Sequence, residues 1–380
     1  MASLALRGVR KEYGKVIALQ GLDLEVGDGE FFVLLGPSGA GKTTTLKCVA
    51  GLEAPTIGHV EINGRDMSDV EPNGRHVAMA FENYALYPQH SVFDNIAFPL
   101  RSPRYRIPPT EARARIERVA GTLGISHLLE RAPRELSGGQ RQRVALARVL
   151  VRPADVLLLD EPLSHLDAKL RAAMRAELKS LGELQRTTSL YVTHDYLEAL
   201  ALGDRIAVLR QGHLVQVGTR QELWNTPVDA FVARAFGQPE INLLAGTVER
   251  GPDGPSFRAT DGVLVVPLLG IDAPVGTAVD LGIRPRDVAI ASDATSDLGS
   301  VALRGRVYVV EPLGRQLEVT VDIGECRISL ITEEAGIEID TMVPLQIPPS
   351  KLLLFERPSG RRLAAGHPAP VSTREVTAHA

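Results

Sequence analysis

The stretch Gly36-Pro37-Ser38-Gly39-Ala40-Gly41-Lys42-Thr43 constrains this chain more than any other. It satisfies G-x-x-x-x-G-K-[ST] at every fixed position. A continuous apolar run, Phe31-Phe32-Val33-Leu34-Leu35, precedes it, and a helix-like segment, 42–51, follows. Glycines let such a turn bring backbone N–H groups close to phosphate oxygens. The positive end of the following helix faces the same oxygens. In this arrangement Lys42 holds the β- and γ-phosphates, the Thr43 hydroxyl ligates Mg²⁺, and Thr44 adds a phosphate contact.

A second strand end carries acid. Val156-Leu157-Leu158-Leu159 runs into Asp160-Glu161. Adjacent residues leave a strand end in different directions, so Asp160 is expected to face Mg²⁺ and Glu161 an attacking water. Ser189-Leu190-Tyr191-Val192-Thr193 is a third apolar run. Unbroken runs of this kind point to parallel strands covered on both faces. Leu170, Met174, Leu178 and Leu181 recur at helical spacing between the last two. The alternation predicts a wound α/β sheet, with 4–6, 22–26 and 58–62 as peripheral antiparallel strands.

The pattern changes near residue 240. Short β-branched segments at 246–249, 263–266, 279–283, 301–310, 317–323 and 326–331 predict a small β-barrel or sandwich. The tail from Gly366 is expected to be disordered.

Composition removes several function classes. Lys and Arg number 42 against 46 Asp and Glu, a net charge of −4. That balance, with 4% aromatic residues, argues against a nucleic-acid coat or a base-stacking platform. No apolar run is long enough to cross a bilayer, and the N-terminus does not read as a secretory signal. Cys48 and Cys326 form no metal-ligand spacing, and a reducing, cytoplasmic setting is expected.

Leu136-Ser137-Gly138-Gly139-Gln140, opening a helix at Gly138–Leu150, makes a second anion site. This segment resembles the signature motif of ATP-binding cassette (ABC) ATPases. The resemblance implies a head-to-tail dimer, in which Ser137, Gly138, Gly139 and Gln140 cap the γ-phosphate held by a partner's P-loop. It also implies that Tyr13 stacks on adenine, that His194 in Tyr-Val-Thr-His-Asp is the switch histidine, and that Ser164-His165-Leu166-Asp167 is the dimer-crossing loop. His165 departs from the usual Asn there. Glu82, in Phe81-Glu82-Asn83-Tyr84, stands where the family has a Gln that touches Mg²⁺ and water. Two readings follow: a tolerated ligand swap, since a carboxylate still suits Mg²⁺, or one modified site of a heterodimer. Segments Gly282-Ile283-Arg284-Pro285-Arg286-Asp287 and Val310-Glu311-Pro312-Leu313-Gly314 resemble the C-terminal domain of maltose- and glycerol-phosphate-type importer ATPases.

The expected architecture is therefore an α/β P-loop NTPase, the ABC cassette, over 1–237. A helical subdomain is expected at about 88–150, and an all-β OB-type barrel at 238–365, followed by the tail 366–380. The resemblance implies an ATPase driving solute import, with ATP and Mg²⁺ as cofactors and no nucleic acid. Its catalytic groups are Glu161, His194 and Lys42; its metal-binding groups are Thr43, Glu82 and Asp160. Gly36, Pro37, Ser38, Gly39, Ala40, Gly41, Lys42, Thr43, Thr44, Asp167 and Tyr13 contact nucleotide. Partners are two membrane-spanning permeases, a second ATPase subunit (the same chain or a homologue) and, indirectly, an extracytoplasmic solute-binding protein. The chain then sits peripherally on the cytoplasmic face, with Tyr84, Leu86 and Tyr87 as exposed docking anchors. Arg141, Arg143 and Arg148 are expected to face solvent, with a phosphate contact as the alternative for Arg141. The alternatives are a modified or regulatory ATPase half and a soluble nucleic-acid- or ribosome-associated ABC ATPase.

Overall fold

The computed structural model describes residues 3–363 except 82, 104, 105, 165, 186, 253, 269, 272 and 292–300. Glu82, Arg104, His165 and the 366–380 tail therefore lie outside the described residues. The chain divides into two compact units, Met1–Leu223 and Trp224–Ala380.

The first unit opens with β1 (Leu4–Tyr13), β2 (Val16–Val26), β3 (Phe31–Leu35), α1 (Lys42–Ala50), β4 (Ile57–Ile62), β5 (Arg65–Asp66) and β6 (Val77–Ala80). It continues through α2 (Val92–Ala97), α3 (Pro109–Thr122), α4 (Gly138–Leu150), β7 (Val156–Asp160), α5 (Ala168–Gln185), β8 (Thr188–Thr193), α6 (Tyr196–Leu202), β9 (Arg205–Arg210) and β10 (His213–Gly218). One sheet has the order β10-β9-β3-β8-β7-β6, parallel from β9 to β6. The other, antiparallel, has the order β2-β1-β4-β5.

The apolar runs explain the parallel sheet. Every residue of β3, β7 and β8 is buried, as expected of strands covered on both faces. Phe32, Leu34, Leu158 and Leu190 share one core with Leu46 and Val49 of α1 and with Leu6 and Leu22 of the antiparallel sheet. Between β6 and β7 the chain is helical, and α2, α3 and α4 bury Ile96, Ile116, Ala120, Val144 and Ala147. Arg75 ties the end of α1 down. It donates to the carbonyls of Cys48, Val49, Met67 and Val70, a cation placed where helix carbonyls lack partners.

The helix α7 (Arg220–Asn225) spans the division, and α8 (Ala230–Ala235) opens the second unit. Among the described residues ten strands follow: β11 (Asn242–Gly251), β12 (Gly254–Ala259), β13 (Val265–Pro267), β14 (Ala278–Ile283), β15 (Ala289–Ile290), β16 (Val301–Leu313), β17 (Gln316–Ile323), β18 (Cys326–Thr332), β19 (Met342–Ile347) and β20 (Leu353–Glu356). They form two five-stranded antiparallel sheets, β13-β12-β11-β14-β20 and β15-β19-β16-β17-β18. Val248, Phe257 and Leu281 of one meet Val307, Val321 and Ile328 of the other in a single core. Asn242 stitches the sheets together: its amide nitrogen donates to Ser329 O at 2.9 Å, and its carbonyl accepts from Ser329 N at 2.8 Å. The short, turn-punctuated segments predict a small β-barrel or sandwich, and this all-antiparallel domain is consistent with the OB-type barrel that the resemblance implies.

Arg284 is more than a turn residue. Its guanidinium lies 3.9 Å from the Trp224 ring centroid and donates to the carbonyls of Trp224 and Phe236, each at 2.7 Å. Burial lowers its pKa to about 10, so it stays cationic at neutral pH.

Candidate active site

The sheet order decides what meets what. Strand β8 lies between β3 and β7, so three neighbouring carboxyl ends feed one edge, the usual ligand crevice of a wound sheet. From β3 comes the glycine-rich turn, from β7 Asp160 and Glu161, and from β8 His194.

The turn needs its glycines. A Cβ on Gly36 would stand 2.6 Å from the Leu209 carbonyl oxygen, and one on Gly41, at φ +100°, 2.7 Å from that of Ala18. Lys42 opens α1 and is only 5% exposed. Its ammonium donates to Gly36 O at 2.9 Å and Pro37 O at 3.2 Å, with Glu161 Oε1 at 3.5 Å. Thr43 Oγ1 donates to Asp160 Oδ1 at 3.0 Å.

Glu161 is the centre of this cluster. Its backbone takes φ 45°, a left-handed conformation that a residue with a side chain adopts only when surroundings impose it. The turn is held by Glu161 N donating to Val192 O at 3.0 Å and by Ser164 Oγ donating to Glu161 O at 3.0 Å. One carboxylate oxygen faces Lys42; the other lies 2.9 Å from His194 Nδ1. The His194 side chain is 56% exposed.

The structure thus brings together Lys42, Thr43, Asp160, Glu161 and His194. Thr43 and Asp160 supply hard oxygen donors, the set that Mg²⁺ takes. Tyr13 ends β1 at 41% exposure, with Lys11 Nζ 4.9 Å from its ring centroid.

Ser137, Gly138, Gly139 and Gln140 lie elsewhere, at the N-terminus of α4. Ser137 Oγ accepts from Gln140 N at 3.3 Å, while Gln140 Oε1 accepts from Ser137 N at 2.9 Å, a capping box. Among the described residues the Ser137 hydroxyl proton has no hydrogen-bond acceptor, leaving it able to donate elsewhere. A Cβ on Gly138 would meet nothing within 4 Å, so nothing among the described residues demands glycine there. Asp167 Oδ1 accepts from Leu170 N at 2.8 Å and caps α5.

Residues 19–164 match the family described as ABC transporter, and residues 281–355 match the TOBE domain. The trehalose/maltose import ATP-binding protein MalK of Thermococcus litoralis is 43% identical, the alignment covering 96% of this chain and all of that one. The sn-glycerol-3-phosphate import ATP-binding protein UgpC of Rhodopseudomonas palustris is 41% identical over the same shares of the two chains. The chain belongs to the ABC transporter family. A solved relative, the dimeric ABC transporter cassette MJ0796, is 31% identical with a TM-score of 0.54. The match covers 57% of this chain and 98% of that one.

Two expectations for this ABC chain need correction. Tyr84, Leu86 and Tyr87 are half-buried rather than exposed, and Tyr87 packs on Phe98 with ring centroids 4.5 Å apart. Arg141, Arg143 and Arg148 do not simply face solvent. They donate to the carbonyls of Leu136, Leu123 and, for Arg148, both Tyr84 and Ala85. The sequence reading also passed over Arg171 and Glu198. A charged residue at a buried helical position is the signal that marks Glu198.

Proposed function

We propose that this chain is the ATP-hydrolysing, energy-coupling subunit of an importer for a carbohydrate or a glycerol-phosphate-like solute. The single observation that carries the chemistry is the Glu161 carboxylate, divided between the lysine of the phosphate cradle and His194. The full-length relatives named for trehalose/maltose and sn-glycerol-3-phosphate import support the transport role and the solute class.

ATP binds with its β- and γ-phosphates against the 36–43 turn, and adenine stacks on Tyr13. Lys42 leaves its carbonyl acceptors for phosphate oxygens, a stronger, charge-assisted pairing. Glu161 orients and deprotonates the attacking water, and His194 steadies both that carboxylate and the transferred phosphoryl. Thr43 and Asp160, with Glu82, would hold Mg²⁺, which would supply charge neutralisation at the phosphate oxygens.

The cassette role is assigned to 1–237 and the β-domain role to 238–365. A second ATPase subunit presents Ser137–Gln140 to this chain's γ-phosphate, a reading supported by the bare Gly138 and by the dimeric cassette relative. Asp167 crosses the same interface. Two permeases recruit the chain to the cytoplasmic face, and a solute-binding protein acts through them. Among the described residues, no helix is long and apolar enough to cross a membrane.

The test is ATP turnover by the full-length chain. Glu161→Gln is expected to lower kcat by about 10²–10⁴-fold while ATP binding persists. A variant that hydrolyses ATP at the wild-type rate would remove Glu161 from the chemistry. Glu82→Gln distinguishes the two roles of that carboxylate: a rate that hardly changes marks a ligand swap, a large gain marks a weakened site.

A further inference from the structure

We propose that Arg171 is a positioning residue that couples the segment carrying Asp167 to the loop carrying His194. It sits in the first turn of α5. Its Nη2 donates to Leu166 O at 3.1 Å, next to Asp167, and its Nη1 donates to Asp195 Oδ2 at 3.2 Å, next to His194. One rigid guanidinium therefore spans two loops, which a lysine cannot do.

The connection continues inward. Glu198 of α6 is 2% exposed. Its Oε2 accepts from Tyr191 OH at 2.8 Å and Thr193 Oγ1 at 2.7 Å. Thr193 Oγ1 in turn accepts from Asp195 N at 2.9 Å. His194 is thus gripped through both sequence neighbours by groups that lead back to Glu198. Arg171 faces the other carboxylate oxygen of Glu198, with its Nε 3.9 Å away. That Nε–H is buried and has no hydrogen-bond partner among the described residues. An unmade buried bond costs free energy, and a small approach of α5 to α6 would complete it. Movement of the 166–167 segment is then transmitted to the histidine, and the reverse.

This inference rests on the reading that His194 takes part in hydrolysis, and the experiment separates the two. Steady-state ATP hydrolysis is measured for the full-length chain as wild type, Arg171→Met, Arg171→Lys, His194→Ala and the double variant Arg171→Met/His194→Ala. In parallel, the His194 ring resonance is followed by NMR with labelled histidine. Arg171→Met is expected to lower kcat by roughly tenfold or more with KM changed less than about twofold. In the His194→Ala background the same change is expected to add less than about twofold, since coupled groups are not additive. Arg171→Lys is expected to recover part of the rate, and Arg171→Met to shift the His194 ring signal. Full multiplicative losses in the double variant, or an unmoved ring signal, overturn the proposal. A wild-type rate in His194→Ala overturns the role of the histidine instead, and the ring signal then still tests the coupling. Should Arg171→Met fail to fold, Glu198→Gln cuts the same connection at its other end, and multiplicative losses with His194→Ala there overturn it equally.

Discussion

The Thr43 hydroxyl donates to the Asp160 carboxylate across 3.0 Å, joining the start of α1 to the end of β7. Both groups are oxygen donors, and both belong to elements fixed by the sheet rather than to free loops. Replacing Thr43 by Val keeps the shape and removes the hydroxyl. We expect ATP hydrolysis to require roughly tenfold more Mg²⁺, the size of effect that follows loss of metal-site partners. A Mg²⁺ titration that superimposes on that of the wild type would argue against a metal role for Thr43.

Gly138 has open space where a side chain would stand. Gly138→Ala should therefore leave the isolated chain at least as stable, since Ala is favoured over Gly in a helix by about 1 kcal/mol. Yet ATP turnover should fall if a second subunit's phosphate approaches this backbone. Thermal melting and turnover, measured on the same preparation, check both halves.

Arg148 reaches from α4 to the carbonyls of Ala85 at 2.7 Å and Tyr84 at 2.9 Å. Both acceptor residues have positive φ, 44° and 63°, a conformation that needs external support. Arg148→Ala should let this turn open. Amide exchange at 83–88 is expected to accelerate by about tenfold or more, while that of β3 and β7 stays put. Hydrogen-exchange mass spectrometry reads the difference directly.

Burial raises the pKa of the Glu198 carboxyl, against the lowering effect of its bonds from Thr193 and Tyr191. The folded state therefore keeps a proton that the unfolded chain has already released. Unfolding free energy should fall as pH rises from the ordinary glutamate value to the raised one, and level off above it. Glu198→Gln should flatten this slope. Urea denaturation across that pH window is the measurement.

Arg284 should be costly to remove. Arg284→Met strands the carbonyls of Trp224 and Phe236, and a loss of roughly 2–4 kcal/mol is expected for two buried partners. Arg284→Lys should recover only part of it, because an ammonium cannot stack and fork at once. Calorimetry of the full chain provides the test.

Much of this was legible beforehand, and the reasons are specific. The runs 31–35, 156–159 and 189–193 are buried on both faces, so their composition alone marks them. The turn at 36–43 declares itself because phosphate contact admits few residue types. Strand β1 runs on to Tyr13, well past the apolar stretch 4–6, because Arg7, Arg10 and Glu12 interrupt the apolar signal while pairing with β2 resumes after each shift in register. The solvent-facing expectation for Arg148, and the lack of any for Arg171, have another cause: their acceptors include main-chain carbonyls of Tyr84, Ala85 and Leu166, and a carbonyl has no letter in the sequence. Glu198 is marked only by the hydroxyls of Tyr191 and Thr193, which come from the neighbouring strand and which its own helix does not announce.

Cradle, acid and imidazole leave the carboxyl ends of three adjoining strands, β3, β8 and β7, of one hydrogen-bonded ladder. Their points of departure therefore keep a fixed spacing, and only the short segments beyond those ends can adjust. On–off control must act on those segments from outside the sheet.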